Sequence, residues 1–146
     1  MGLFDKVLGG SQPARFNAQE AFIGIALTAV AADGVINQDE AQGLFIALLR
    51  MKLFKGVNDG QMRQMFDRVL NLLKKQGAGA VVNLSKEALT PEQKQTAFAI
   101  AADLILADGV VEDEEKKYLD DLQKALEVPD DMALKIVEAM VIKNRA

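Results

Sequence analysis

The amino-acid sequence predicts an all-α fold, a single-domain helical bundle of about seven helices with an internal pseudo-two-fold repeat. Three observations predict it: helix-start signals recur along the chain, apolar residues recur between them at helical spacing, and one Asp-Gly junction occurs twice. The apolar-polar alternation that is typical of strands is hardly visible. Half of the 146 residues are hydrophobic, which is enough to bury one core, so we treat 1–146 as one domain.

The predicted helices begin at capping side chains. A Ser, Thr or Asn side chain that precedes Glu or Gln by three residues can satisfy the free N–H groups of a helix start. This pattern occurs as Asn17 with Glu20, Asn37 with Glu40, Asn58 with Gln61, and Thr90 with Gln93. With the apolar spacing it predicts helices over 14–32, 38–52, 59–76, 91–107, 113–126 and 130–143, and a further one within 78–89.

Two of these helices, which end near Ala32 and near Ala107, are apolar almost all round. A helix without a polar face needs neighbours on every side. We therefore expect this pair to form the buried centre of the bundle.

Both central helices run into the same junction. The stretches 32–44 and 107–119 lie 75 residues apart and are identical at six of thirteen positions, and a similar turn follows at 57–59 and at 128–130, where the offset is 71. The repeat halves cover about 14–76 and 91–143. Because the halves are expected to be related by an approximate two-fold axis, the two junctions could lie near each other.

The composition excludes several kinds of chemistry. Cysteine and histidine are both absent, which excludes disulfides, thiolate or imidazole metal ligands, and nucleophile–histidine pairs. No apolar run approaches the ~20 residues that cross a bilayer. We expect a cytoplasmic protein, with any membrane association arising through a partner.

Each junction can be interpreted as a helix stop followed by a helix start. Gly34 and Gly109 suit the left-handed conformation that closes a helix. Glu40 can reach back to the preceding cap in a capping box. Glu115 occupies the matching place, but its cap position holds Glu112, a poorer capping residue. Capping therefore accounts for Glu40 better than for Glu115.

Capping leaves two acids unexplained. Asp33 and Asp108 follow helix C-termini, where a negative charge costs roughly 0.3–1 kcal/mol against the helix dipole. Either each side chain binds the backbone of its own turn, or a hard cation such as Ca or Mg, which prefers oxygen ligands, offsets the charge. The cation hypothesis uses these residues: Asp33, Glu40, Asp108 and Glu115 as ligands, with Asp39, Glu112 and Glu114 as outer acids.

The opening GLFDKVLGG and the duplicated ADGV element, each followed by a Glu seven residues after its Asp, resemble the tellurite-resistance TerB family and its wider TerB-like domain group. The similarity covers most of the chain. It implies an all-helical bacterial domain, not an enzyme, that is associated with stress and tellurite resistance and chelates a metal through an acidic cluster. Carried over by position, that cluster is Asp33 and Glu40 from the first motif and Asp108 and Glu115 from the second. The resemblance also implies two partners, the integral membrane protein TerC and the calcium-binding protein TerD.

Charge is divided along the chain. The stretch 50–75 has a net charge of +5, whereas 103–131 has a net charge of −8. The basic stretch suits an acidic partner protein or anionic lipid headgroups, and the alternative is a set of solvated helix faces. Nucleic acid is not expected, because the whole chain carries −4 and the basic stretch has few aromatic residues. The candidate partner-binding residues are Arg50, Lys52, Lys55, Arg63, Arg68, Lys74 and Lys75.

Two other functions stay open from the sequence. Paired carboxylates could serve a hydrolase, although the chain has no nucleophile motif and no phosphate-binding glycine loop. A plain helical scaffold, in which the junctions are only capping devices, needs no metal.

Overall fold

The computed structural model describes residues 15–32, 36, 38–107 and 109–146. Within these residues the protein is all-helical, with seven α-helices and no strand, so the predicted fold class is confirmed. The α-helices are α1 Ala18–Val30, α2 Gln38–Leu49, α3 Asp59–Gln76, α4 Ala78–Glu87, α5 Pro91–Leu106, α6 Asp113–Ala125 and α7 Asp130–Asn144.

A short 3-10 helix, Lys52–Phe54, separates α2 from α3. The sequence predicted that α2 would run on to residue 52. It ends earlier because the chain turns to bury Phe54, which is 2% exposed. The turn is held to α1 by Gln19, whose side-chain amide donates to the carbonyl of Leu53 at 2.9 Å.

The predicted capping boxes form wherever both partners are described. The Asn17 side chain accepts from the N–H of Glu20 at 2.8 Å, and the Glu20 carboxylate accepts from the N–H of Asn17 at 3.0 Å. The same reciprocal pair forms at Asn58 with Gln61 and at Thr90 with Gln93. Each cap stabilises its helix by roughly 1 kcal/mol. The fourth predicted cap, Asn37, lies outside the described residues.

Helix α1 is the centre of the bundle. Every residue from 20 to 30 is buried, because α2, α3, α4, α5 and α6 all pack against it. Helix α5 packs along α1, but only one stripe of it is fully buried, at Ala97, Phe98, Ala101, Ala102 and Ile105. The prediction that both helices are buried on every side is therefore correct for α1. It is wrong for α5, whose other side is only partly covered.

The grooves of the two halves correspond. One groove lies between α2 and α3, and another lies among α5, α6 and α7. Five of the seven residues that line the first have a counterpart lining the second, at an offset of 75 before the turn and 71 after it. The matched positions are Phe45 with Asp120, Asp59 with Asp130, Met62 with Ala133, Arg63 with Leu134, and Phe66 with Val137. The matched positions follow the offsets of the predicted repeat, and the repeat itself stays a prediction from the sequence.

Candidate functional site

The helix starts that follow the two junctions meet at one cavity of about 280 Å³, which we call the junction cavity. Its apolar sides are Ala29 and Val30 of α1, Leu104 of α5, and Ala107, which follows α5. Four acids and one glycine complete the lining: Asp39, Glu40, Gly43, Glu112 and Glu115. The acids come from the first turns of α2 and α6 and from the residue that caps α6.

The lining pairs residues from equivalent places in the two repeats. Ala29 and Leu104 are 75 positions apart, and so are Glu40 and Glu115. Residues that flank the two junctions therefore line one cavity, whereas the convergence of the junctions themselves stays a prediction. Acids in the first turn of a helix also lie at the positive end of its dipole, which favours them there by a few tenths of a kcal/mol, up to about 1.

Glu115 has a structural task in this arrangement. Its carboxylate accepts from the N–H of Glu112 at 2.8 Å. The sequence suggested a weaker capping role for Glu115 because Glu112 precedes it, but this half of the capping box needs only the backbone of residue 112. In the second repeat, this hydrogen bond supports the capping interpretation. In the first repeat, the capping interpretation rests on the sequence pattern.

The two aspartates of the cation hypothesis, Asp33 and Asp108, lie outside the described residues. Asp108 directly follows Ala107, which lines the junction cavity. Among the residues that are described, no group of three or more His, Cys, Asp or Glu side chains is placed to hold a metal ion. A cation in the junction cavity would therefore need ligands from those aspartates.

Glu114, expected as an outer acid of the same cluster, lines a different cavity. It comes one residue before Glu115 on α6, and successive residues of a helix point about 100° apart. Glu114 therefore does not line the junction cavity, and its role as an outer acid stays a prediction.

The seven predicted partner-binding residues are all exposed, but they do not share one surface. On α3, Arg63 and Lys74 lie on nearly the same face, whereas Arg68 and Lys75 lie about a third of a turn around the helix. The other three, Arg50, Lys52 and Lys55, are close together in sequence at the end of α2 and around the 3-10 helix.

Arg68 is occupied within the fold. Its guanidinium donates to the carboxylate of Glu20, a side chain that is 6% exposed, and to the carbonyl of Arg15 at 3.1 Å. This residue ties the start of α1 to α3, so its charge is not simply available to a partner.

A larger cavity, of about 890 Å³, is lined mainly by α1, α3 and α6, with further residues from the start of α2 and the start of α4, and we call it the apolar cavity. The sequence did not predict it. Its α3 wall carries Phe66, Leu70, Leu73 and Lys74. Its α6 wall is polar, with Glu114, Lys117, Tyr118 and Asp121.

A pair of hydroxyl groups lies at the boundary of this cavity. Thr28 Oγ1 and Tyr118 Oη are 2.6 Å apart, and each also lies within hydrogen-bond distance of the Ile25 carbonyl, at 2.9 and 3.1 Å. Burial raises the pKa of the Tyr118 phenol well above its ordinary value of 10.0, and the hydrogen bond with Thr28 opposes this only in part. The one feature of the sequence that pointed to this hydroxyl pair was a single tyrosine within the charged run of α6.

Comparison with known proteins gives no match to this chain among family models, curated proteins or solved structures. The TerB-like assignment therefore stays a prediction from the sequence motifs. Across the described helices, none is long and apolar enough to cross a membrane.

Proposed function

We propose that the chain is a non-enzymatic TerB-like domain that binds a divalent cation, Ca or Mg, at the junction cavity. In this proposal it acts in tellurite resistance or a related stress response. Its partners are a TerC-like membrane protein and a TerD-like protein, at the membrane surface.

The observation that carries the proposal is the meeting of Glu40 and Glu115 in one cavity. These residues occupy the same place in the two copies of the motif and are far apart in sequence. Asp39 and Glu112 add two more negative charges to the same lining. Carboxylate oxygens are the ligands that Ca and Mg prefer, so the donor chemistry fits a hard cation.

The ligands in the proposal are Glu40 and Glu115 together with Asp33 and Asp108. The cation supplies positive charge that relieves repulsion among the acids. Binding to the folded state then raises the free energy of unfolding, by about 2.7 kcal/mol when the free cation is at a hundred times its dissociation constant.

The competing function is a plain helical scaffold, and the Glu115 cap supports it. On that interpretation Glu40 and Glu115 only satisfy backbone N–H groups at the starts of α2 and α6. Glutamine can make the same capping bond without a charge, so a Glu-to-Gln change separates the two functions.

The experiment compares the parent with the double variant Glu40→Gln, Glu115→Gln and with Asp33→Asn, Asp108→Asn. Thermal unfolding and isothermal titration are measured with and without Ca or Mg. If the cation proposal holds, the parent is stabilised by the cation and both double variants lose that response. The control is Asp59→Asn, which removes one charge from α3 outside the junction cavity and should keep the response.

The scaffold alternative gives a different pattern. The parent then shows no binding of Ca or Mg at millimolar concentration, and the Gln variant unfolds at nearly the same temperature as the parent. That result would overturn the cation proposal.

A further inference from the structure

We propose that the apolar cavity is a binding site for a single-chain amphipathic carboxylate, a molecule with the chemistry of a fatty acid. The apolar cavity and the junction cavity share no residue among those described as lining them. This inference is therefore independent of the cation proposal.

The size and one wall of the cavity suit a hydrocarbon chain. Its volume of about 890 Å³ falls within the range of roughly 300–1,000 Å³ that is typical of small-molecule sites. Phe66, Leu70 and Leu73 line the α3 side, and Ile36 contributes from the segment before α2. A water-filled cavity with this lining leaves apolar surface in contact with solvent, which an acyl chain would remove.

The charges around the cavity select the head group. Lys117 is paired with Asp121 at 3.0 Å. Lys74 lines the cavity from α3, and no carboxylate in the described part of the chain forms an ion pair with it. It is therefore a cation that an anionic head group can use.

The opposite wall disfavours that head group. Glu114 and Asp121 lie on α6, and their charges repel a second anion there. The hydroxyls of Thr28 and Tyr118 are already engaged with each other and with the Ile25 carbonyl. The head group is therefore assigned to the α3 side, at Lys74, with the chain directed along Phe66 and Leu70.

The first test titrates the full chain with octanoate, decanoate and dodecanoate, each below its micelle concentration, using isothermal titration calorimetry. Each added methylene should tighten binding by about fourfold, which corresponds to ~0.8 kcal/mol per buried CH₂. Absence of saturable binding, or affinity that does not change with chain length, would overturn the proposal.

The second test locates the head group with a matched pair of variants. Lys74→Glu should weaken dodecanoate binding by about fivefold to tenfold, as expected for reversing one rim charge, and should leave dodecanol binding unchanged. Lys75→Glu changes the same charge one residue further along α3, outside the cavity lining, and should affect neither ligand.

Two outcomes contradict the assignment. If dodecanol binds as tightly as dodecanoate, or if both lysine variants behave alike, the head group is not held at Lys74. If dodecanoate shows no saturable binding and light scattering shows that the chain self-associates, a second copy of the chain occupies the cavity instead of a lipid.

Discussion

At Gly24 the packing of the bundle depends on the absence of a side chain. A Cβ atom there would lie 2.6 Å from Ser85 Oγ and 2.9 Å from Val81 Cγ1. Both neighbours are fully buried residues of α4, and the Ser85 hydroxyl already donates to the Val81 carbonyl at 2.8 Å. Neither can move aside without disturbing α4, so glycine is what allows α4 to approach α1 this closely.

Gly24→Ala should therefore destabilise the protein, by about 1–3 kcal/mol, the usual cost of overpacking a core. The matched control is Gly43→Ala in α2, where a Cβ would meet no described atom within 4 Å. Alanine is the better helix former, so the control should be stabilised by roughly 0.5–1 kcal/mol. Urea denaturation measures both, and equal effects of the two substitutions would contradict the close α1–α4 contact.

Tyr118 should make the free energy of unfolding depend on pH in the alkaline range. Its pKa is raised in the folded protein by burial, so the folded state keeps the phenol proton at pH values where the unfolded chain loses it. The contribution of this group to the free energy of unfolding is complete below pH 10.0, its ordinary pKa, and declines as the pH rises above that value.

Tyr118→Phe should lower stability at neutral pH by about 0.5–1.5 kcal/mol through loss of its hydrogen bond, and should lose less additional stability above pH 10.0 than the parent. Because the chain has one tyrosine, phenolate absorbance reports this residue alone. In the parent it should rise together with unfolding. A phenolate signal near pH 10.0 from protein that is still folded would show that the pKa of this phenol is not raised.

Among the elements, the start of α1 is joined to the middle of α3 by an ion pair between Glu20 and Arg68. Glu20 accepts from its own cap residue, Asn17, and from the guanidinium of Arg68. Glu20 is 4% exposed, so its charge would be poorly hydrated without Arg68. Since the Arg68 side chain is 48% exposed, the ion pair is partly screened, and its loss costs less than that of a fully buried pair.

Arg68→Ala should lower the free energy of unfolding by about 1–2 kcal/mol, because it leaves the Glu20 carboxylate with only its capping bond. Arg63→Ala removes an exposed arginine from the same helix that forms no ion pair within the described residues, and should change stability by less than ~0.5 kcal/mol. Adding Glu20→Gln to Arg68→Ala should recover part of the loss. Equal effects of the two arginine variants in guanidinium denaturation would count against the contact.

At the scale of the whole molecule, the basic residues fall into separate groups. Arg50, Lys52 and Lys55 surround the 3-10 helix, whereas Lys74 and Lys75 lie at the far end of α3. A partner that recognises one group is not obliged to touch the other. Arg68 belongs to the fold and should be left intact in any test of partner binding.

Reversing Arg50, Lys52 and Lys55 to Glu should weaken binding to anionic vesicles by on the order of a hundredfold, if each contact contributes about 1 kcal/mol. The circular dichroism spectrum should be unchanged, because all three side chains are exposed. Reversal of Lys74 and Lys75 is the comparison, and we expect a smaller effect. Unchanged binding by the triple variant would show that these three residues are only solvated surface.

Local signals in the sequence determined the fold class and most helix starts. A capping pair such as Asn58 with Gln61 acts over three residues, and the apolar run of α1 is visible in one segment, so neither requires knowledge of distant contacts. The duplicated junction likewise predicted that the two junctions would lie near each other, and Glu40 and Glu115, which follow them, line one cavity. These features could be predicted from the sequence because the residues that cause them are close together in the chain or are repeated in it.

Tertiary structure alone decided which residues share a surface. Glu114 lies on the apolar cavity although its neighbour Glu115 lines the junction cavity, and Arg68 is paired with Glu20, 48 positions away. The apolar cavity itself is lined by residues from α1 to α4 and from α6, which no local pattern connects. Such contacts depend on how whole helices pack against each other. The packing is set by side-chain shape and by close approach of the helices, as at Gly24, and not by residues that are neighbours in the sequence.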